Sequence, residues 1–125
     1  MALENLWEKT AVAPPATKIL ASAQSTYDLV VIGAGFSGCS AALTARDLGA
    51  SIAVFEAKTI GYGGSGRNVG LVNAGLWTPP DEIEVAIGKR EGSHLYDSLS
   101  AAPDHVFSLI DRLNIECNAR RNGTL

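Results

Sequence analysis

The stretch Tyr27-Asp-Leu-Val-Val-Ile-Gly-Ala-Gly-Phe-Ser-Gly38 decides the fold, together with Ser51-Ile-Ala-Val-Phe-Glu56 further along the chain. Residues 29–32 form an unbroken apolar run, as expected of a parallel strand that is buried on both faces. Small residues then predict a helix over residues 37–48, and Gly49 predicts its left-handed end. The order strand, glycine turn, helix, strand and acid is typical of the first half of a dinucleotide-binding βαβ unit.

Each glycine of the turn has a predicted physical role. Gly33 allows a tight exit from the strand, because glycine adopts dihedral angles that a Cβ forbids. Gly35 leaves room for a pyrophosphate to approach the backbone, and Gly38 lets the helix lie close to the strand. The first turn of that helix would direct its free N–H groups and its positive dipole end at the phosphates.

The acid that ends the second strand, Glu56, strengthens this interpretation. A carboxylate about 20 residues after the glycines can accept both hydrogen bonds from an adenosine ribose, and it would repel a 2′-phosphate. A glycine-rich turn without a ligand is the alternative for the motif alone. The strand, the helix, Ala42, Gly49 and Glu56 all occur at the spacing of a dinucleotide-binding unit. This agreement favours nucleotide binding.

Composition bounds the class of protein. The 125 residues are 46% hydrophobic with a net charge of −3, which fits one small domain and argues against a nucleic-acid partner or an anionic membrane. Cys39 and Cys117 are far apart and lack metal-ligand spacing, so a reduced, cytoplasmic setting is expected. Neither a signal peptide nor a membrane span is predicted, and no metal site.

A second glycine-rich stretch follows, Gly61-Tyr-Gly-Gly-Ser-Gly-Arg-Asn-Val-Gly70. Its glycine content excludes a stable helix or strand interior. A flexible linker is one interpretation, but Tyr62, Arg67 and Asn68 are unusual in a spacer. We therefore favour a loop whose backbone N–H groups face a ligand.

The remaining chain gives coarser predictions. Residues 1–26 form an arm with one apolar turn (Leu3, Leu6, Trp7) before Pro14-Pro15, residues 27–78 form the nucleotide-binding unit, and residues 79–125 form a helical segment that begins a substrate domain. Residues 71–77 are expected to form a short strand, and a proline followed by acids predicts a helix that ends near Ile87.

A longer helix is predicted from Glu91, with an apolar stripe at spacings of three and four residues: Leu95, Leu99, Ala102, Val106, Leu109, Ile110 and Leu113. Pro103 removes the hydrogen bond to the Leu99 carbonyl, which predicts a kink or a break. Residues 115–121 resemble a new strand, so the sequence reads as the N-terminal piece of a longer protein.

Three segments together point to a family: Asp28-Leu-Val-Val-Ile-Gly-Ala-Gly-Phe-Ser-Gly38, Phe55-Glu-Ala57 and the loop from Gly61 to Gly70. The sequence resembles the FAD-dependent D-amino-acid oxidase (glycine oxidase-like) superfamily, in particular its gamma-glutamylputrescine oxidase-like branch, over nearly the whole chain. The resemblance implies an α/β fold, in which a Rossmann-like FAD-binding βαβ unit with a parallel sheet precedes helices that lead into a substrate domain.

By position, the resemblance also implies the residues that hold FAD. These are Gly33, Ala34, Gly35, Phe36, Ser37, Gly38, Glu56, Ala57, Lys58, Gly64, Ser65, Arg67, Asn68 and Gly70. Two positions depart from the usual loop, Gly64 in place of Ala and Val69 in place of Gly. Gly64 is expected to be harmless, whereas Val69 would cost stability if its backbone needed a positive φ.

The chemistry implied by the resemblance is hydride transfer from the amine-bearing carbon of an amine or amino acid to FAD, followed by hydrolysis of the imine. No residue of the chain is a candidate catalytic acid, base or nucleophile. An NAD-dependent dehydrogenase is an alternative, although a nicotinamide enzyme has no use for the loop from Gly61 to Gly70. A further alternative is a truncated FAD-binding fragment without activity.

Overall fold

The computed structural model describes residues 9–10, 13, 15–17 and 26–123, so the prediction for Leu3, Leu6 and Trp7 lies outside the described residues. The chain divides into two compact units, Met1–Val69 and Gly70–Leu125. The first unit contains strand β1 (Leu29–Ile32), helix α1 (Phe36–Asp47) and strand β2 (Ile52–Phe55). The second contains helices α2 (Pro80–Ile87) and α3 (Lys89–Leu113).

The two strands form a parallel sheet, as predicted. Leu29 lies opposite Ile52 and Ile32 lies opposite Phe55. The ladder extends one residue into the glycine turn, since the N–H of Gly33 donates to the carbonyl of Phe55 at 2.7 Å. Parallel pairing requires a crossover connection, and α1 provides it. The structure therefore confirms the Rossmann-like βαβ unit.

Helix α1 packs on the face of the sheet that carries Val31. A Cβ added to Gly38 would lie 3.2 Å from a methyl carbon of Val31 and 1.9 Å from the carbonyl oxygen of Gly33. No side chain larger than hydrogen fits at this contact, so Gly38 has the predicted role. The other face of β1 is open, and the side chains of Val30 and Ile32 are 49% and 89% exposed there.

The end of α1 also follows the prediction. Gly49 has a φ of +88°, a left-handed conformation that glycine adopts without steric cost. Its N–H donates to the carbonyl of Arg46 at 2.9 Å, and the N–H of Ala50 donates to the carbonyl of Ala45 at 3.0 Å. These bonds satisfy carbonyls that the last turn of the helix leaves free.

The second unit is a pair of helices around Ile83, which is only 6% exposed. Helix α2 begins with Pro80 and has Asp81 and Glu82 in its first turn, beside the positive end of the helix dipole. Helix α3 approaches it closely at Gly92, where an added Cβ would lie 2.9 Å from the Cα of Glu84. A glycine at this point sets how near the two helices can pack.

Helix α3 departs from the prediction at Pro103. It begins at Lys89, two residues before the predicted start, and continues through Pro103 to Leu113. The predicted break is therefore wrong, while a kink stays a prediction. The carbonyl of Leu99, which Pro103 deprives of its helical donor, accepts a hydrogen bond from the N–H of Gly75 at 3.1 Å. This bond removes much of the reason for a break.

The two additional strands predicted for the second unit are also wrong. Residues 71–77 are irregular, because Gly70 and Gly75 have φ angles of +79° and +71°, which a strand cannot contain. Residues 115–121 are likewise irregular, and Asn118 has a φ of +51°. In the ranges that the structure describes, no helix is both long and apolar enough to cross a membrane.

Candidate dinucleotide site

The glycine turn presents unpaired N–H groups at the start of α1. Gly33 has a φ of +99°, and Gly35 is extended where the helix begins. Among residues 26–123, the N–H groups of Gly35, Ser37 and Gly38 have no acceptor. The first turn of α1 contains no acidic side chain. The positive end of the helix is therefore open to an anion, which is the property that a pyrophosphate site requires.

Glu56 lies against this turn. Its Oε2 accepts a hydrogen bond from the N–H of Ala34 at 2.9 Å, and its Oε1 accepts one from the N–H of Lys58 at 2.9 Å. The bond from Ala34, then those from Lys58 and Ala57, lower the pKa of the Glu56 carboxyl below its ordinary value, against a smaller opposing effect of desolvation. The carboxylate thus keeps its charge beside the glycine turn.

The second glycine-rich loop folds back onto the turn. The N–H of Gly61 donates to the carbonyl of Ala34 at 2.9 Å. A 3-10 turn, Ser65–Arg67, follows, and the Oγ of Ser65 accepts a hydrogen bond from the N–H of Phe36 at 2.9 Å. A flexible linker would make no such contacts, so the structure favours the interpretation as part of a ligand site.

Glycine is required at further points of this arrangement. A Cβ on Gly35 would lie 2.8 Å from the Oγ of Ser65. A Cβ on Gly66 would lie 2.3 Å from the carbonyl oxygen of Gly61. Gly35 therefore lies against the Ser65 side chain, and Gly66 lies against the backbone of Gly61 within the second loop.

The two departures from the usual loop have simple structural explanations. Gly64 is in the right-handed helical region, with nothing within 4 Å of an added Cβ, so alanine and glycine both fit. Val69 does not have a positive φ, and the left-handed residue is Gly70, with a φ of +79°. The cost considered for Val69 therefore does not arise, and its side chain is 68% exposed.

Two features of the first unit were missed in the sequence. The ring of Tyr62 lies beneath two cations, with the Arg67 guanidinium carbon 5.3 Å and the Lys58 Nζ 6.0 Å from its centroid. Asp28 and Ser51 tie the starts of the two strands together: Asp28 Oδ2 accepts from the Oγ and the N–H of Ser51 at 2.6 and 2.8 Å. The only available signal was that Asp28 and Ser51 each precede a strand.

The hydrogen bonds of Asp28 have an electrostatic consequence. The hydroxyl of Ser51, and then its backbone N–H, lower the pKa of the Asp28 carboxyl below the ordinary value. The N–H of Asp28 in turn donates to the Oγ of Ser51 at 3.1 Å. This reciprocal pair holds β1 and β2 in register at the end of the sheet far from the glycine turn.

The structure brings most of the expected site residues together. Direct hydrogen bonds link the turn from Gly33 to Gly38 with Glu56 and Ser65, and Lys58 donates its N–H to Glu56. Arg67 follows Ser65 on the 3-10 turn. Ala57, Gly64 and Asn68 lie on the segment that follows β2 in the first unit, and Gly70 is the first residue of the second unit. The N–H donors of the turn, the glycines without side chains and the Glu56 carboxylate fit the adenosine diphosphate half of a dinucleotide.

Comparison with known proteins decides which dinucleotide it is. Residues 28–125 match the family of FAD dependent oxidoreductases, DAO. The chain belongs to this family. The members of the DAO family use FAD, so membership selects FAD over NAD as the cofactor of the site.

Individual curated relatives in the DAO family match most of this chain over a part of their own length. It is 32% identical over 108 residues to the "Probable oxidoreductase OrdL" of Haemophilus influenzae, covering 86% of the chain and 24% of that relative. It is 33% identical over 98 residues to the "Gamma-glutamylputrescine oxidoreductase" of Escherichia coli, covering 78% and 23%. The chain thus spans about a quarter of the length of these curated relatives. No solved structure matches it significantly.

A third relative is similar over a shorter segment of the chain. The "3-oxosteroid 1-dehydrogenase" of Mycolicibacterium smegmatis is 47% identical over 66 residues, which is 53% of the chain and 10% of that relative. High identity over a short segment with a protein that has another printed substrate shows that this segment alone does not determine the substrate.

Proposed function

We propose that the chain is the N-terminal FAD-binding part of an oxidoreductase that oxidises an amine or an amino acid by hydride transfer to FAD. The single observation that supports the binding role is the open start of α1, where unpaired N–H groups lie beside the Glu56 carboxylate. The amine substrate is supported by the printed name of the E. coli relative, at 33% identity.

In this proposal the backbone of the glycine turn binds the diphosphate. The N–H groups of Gly35, Ser37 and Gly38 donate to phosphate oxygens, and the absence of a Cβ at Gly35 makes room for the Ser65 hydroxyl beside them. The intervening residues Ala34 and Phe36 act through their backbones, which hold Glu56 and Ser65 in place.

Glu56 binds the adenosine ribose in this proposal. Each oxygen of an ionised carboxylate offers about two lone-pair sites, so Glu56 can accept from Ala34, Lys58 and Ala57 and still accept from a ribose hydroxyl. The backbone of Ala57 and Lys58 flanks the adenine, while the Lys58 side chain extends to the Tyr62 ring. The lowered pKa of the carboxyl keeps Glu56 an acceptor at neutral pH.

The second loop lies under the rest of the cofactor. Ser65 anchors it to α1, and Arg67 supplies a cation for the diphosphate. Gly64, Asn68 and Gly70 provide backbone without bulk along the ribityl chain. Among these, Gly70 is the residue that turns the chain with a positive φ.

The bound FAD would accept the hydride from the carbon that carries the amine. The residues of this chain bind and orient the cofactor and take no proton in the reaction. We assign no catalytic residue to them, and we place the substrate-facing groups in the remaining three quarters of a protein of the relatives' length. The reduced, cytoplasmic setting stays a prediction from the two cysteines.

An FAD-binding segment without turnover is the second candidate. It is favoured by one observation, the open face of β1, where Ile32 is 89% exposed. An apolar residue so exposed on a sheet is normally covered in a complete protein, and the uncovered chain would be prone to aggregate.

The test separates binding from turnover. The chain, purified with FAD or with NAD, is passed through gel filtration, and the visible absorption of bound flavin is measured. In parallel, a chimera in which this chain replaces the matching segment of the E. coli relative is assayed for flavin content and amine-dependent peroxide.

We expect the chain and the chimera to retain FAD and only the chimera to produce peroxide. A chimera and a chain that both stay colourless with FAD supplied would contradict the binding role. A yellow chimera without activity on any amine or amino acid would contradict the oxidase role and support the second candidate.

A further inference from the structure

Tyr62 holds the two cations of the candidate site on one aromatic ring. The guanidinium carbon of Arg67 lies 5.3 Å from the ring centroid and the Nζ of Lys58 lies 6.0 Å from it. The attraction of a cation to the negative face of an aromatic ring operates at such distances. The ring is 53% exposed, so its cations remain accessible from solvent.

The backbone connects these cations to the two sides of the dinucleotide site. Lys58 donates its N–H to Glu56, the residue that contacts the glycine turn at Ala34. Arg67 ends the 3-10 turn that begins at Ser65, the acceptor for the first N–H of α1. Tyr62 therefore bridges the segment after β2 and the segment that covers the start of α1.

The contact leaves the hydrogen-bonding groups of the cations available. A guanidinium has five N–H donors and an ammonium has three, so contact with a ring leaves donors that can meet phosphate oxygens. In the part of the chain that the structure describes, neither Lys58 nor Arg67 forms an ion pair with a carboxylate.

We infer that Tyr62 is a positioning residue, which gathers Lys58 and Arg67 into a dication that binds the diphosphate of the dinucleotide. This inference rests on the proposed function. Two like charges on exposed side chains would separate in water, and the ring offsets their repulsion and restricts their motion. Tyr62 thus makes the site selective for a ligand with a diphosphate over the same ligand without it.

The experiment compares ligands with and without the diphosphate. FAD binding to the chain is followed by flavin fluorescence, and ADP and adenosine are tested as competitors, at low and at high salt. The variant Tyr62→Leu removes the ring, and Tyr62→Phe keeps the ring without the hydroxyl. Tyr96→Leu is the matched control, because Tyr96 is similarly exposed (43%) and carries no cation among the described residues.

We expect Tyr62→Leu to weaken the binding of FAD and ADP by about two- to fivefold at low salt. The loss should be smaller at high salt, where screening already weakens the attraction between the cations and the diphosphate. Adenosine should bind as it does to the unaltered chain. Tyr62→Phe and Tyr96→Leu should keep the affinity for all three ligands. In an Arg67→Gln background, Tyr62→Leu should cost less, because one of its cations is already absent.

The other outcomes are decisive in different ways. Failure of the unaltered chain to bind FAD would contradict the proposed function and this inference with it. If the unaltered chain binds FAD and Tyr62→Leu leaves FAD and ADP unchanged, only the inference fails. An equal loss for ADP and adenosine, or an equal loss in Tyr62→Phe, would show that Tyr62 acts by packing or through its hydroxyl, and would also overturn it.

Discussion

The backbone N–H of Gly75 donates a hydrogen bond to the carbonyl of Leu99, at 3.1 Å. Leu99 lies four residues before Pro103, and a proline has no N–H to offer that carbonyl. A loop residue therefore supplies the donor that the helix lacks. The φ of Gly75 is +71°, so the donor is presented by a backbone conformation that most residues adopt only at a cost.

The first prediction concerns this loop. Gly75→Ala should lower the free energy of unfolding by about 1–2 kcal/mol, because a Cβ is disfavoured at a left-handed φ. Urea unfolding followed by circular dichroism would measure the change. Gly64→Ala is the control, since Gly64 is right-handed and has free space around it. Equal stability of Gly75→Ala and Gly64→Ala would contradict the assigned conformation.

The second prediction concerns the contact between α1 and the glycine turn. Gly38→Ala should destabilise the first unit by about 1–3 kcal/mol or more, as overpacking does, because its Cβ would lie 1.9 Å from the Gly33 carbonyl oxygen. It should also abolish FAD retention after gel filtration. Gly63→Ala is a suitable control, with nothing within 4 Å of the added carbon. Retention of FAD by Gly38→Ala would refute the close approach.

The third prediction tests the carboxylate at the end of β2. Glu56→Gln should weaken FAD binding by about tenfold, since a neutral amide accepts hydrogen bonds less strongly and turns one donor toward a backbone N–H. Fluorescence titration gives the dissociation constant. Glu82→Gln, on the exposed surface of α2, should leave it unchanged. An unchanged affinity in Glu56→Gln would exclude Glu56 from the ribose site.

The fourth prediction is a pH dependence. The pKa of Asp28 is lower in the folded chain than its unfolded value of about 3.9. The carboxylate therefore stabilises the fold above that value, and the contribution is lost as the pH falls toward the lower folded pKa. Denaturation midpoints measured from pH 7 downward should fall less steeply in Asp28→Asn than in the unaltered chain.

Ser51→Ala provides the matched comparison for Asp28. It removes the hydroxyl, the larger cause of the lowered pKa, but keeps the backbone N–H. The fall of its denaturation midpoint at acid pH should be intermediate between those of the unaltered chain and Asp28→Asn. Glu56 also has a lowered pKa, so part of the acid loss should remain in both variants. Superimposable profiles for all three chains would argue against a role of this pair in stability.

The βαβ unit could be predicted because its determinants are local. The apolar run of β1, the small residues of α1 and the left-handed end at Gly49 each act within a few residues of themselves. The position of Glu56 followed from the length of the unit, and the structure places it against Ala34. Local patterns of this kind leave little choice of alternative folds.

Several contacts that the sequence did not predict join residues that are distant along the chain. The hydroxyl of Ser65 accepts a hydrogen bond from the first N–H of α1, 29 residues away. The N–H of Gly75 donates to the carbonyl of Leu99, 24 residues away. Nothing in the local pattern around Pro103 shows that such a donor exists, so the sequence predicted a kink or a break. The strand expected over residues 71–77 failed for a related reason, since apolar residues alone do not reveal a positive φ at Gly75.

The two hydrogen bonds of Ala34 limit how this protein can change its length. The N–H of Ala34 is held by Glu56 and its carbonyl by Gly61, so the four intervening residues must span a constant gap. A single insertion or deletion between Glu56 and Gly61 would break one of the two hydrogen bonds of Ala34. Natural sequence change and engineering alike should therefore find residues 57–60 intolerant of insertions and deletions.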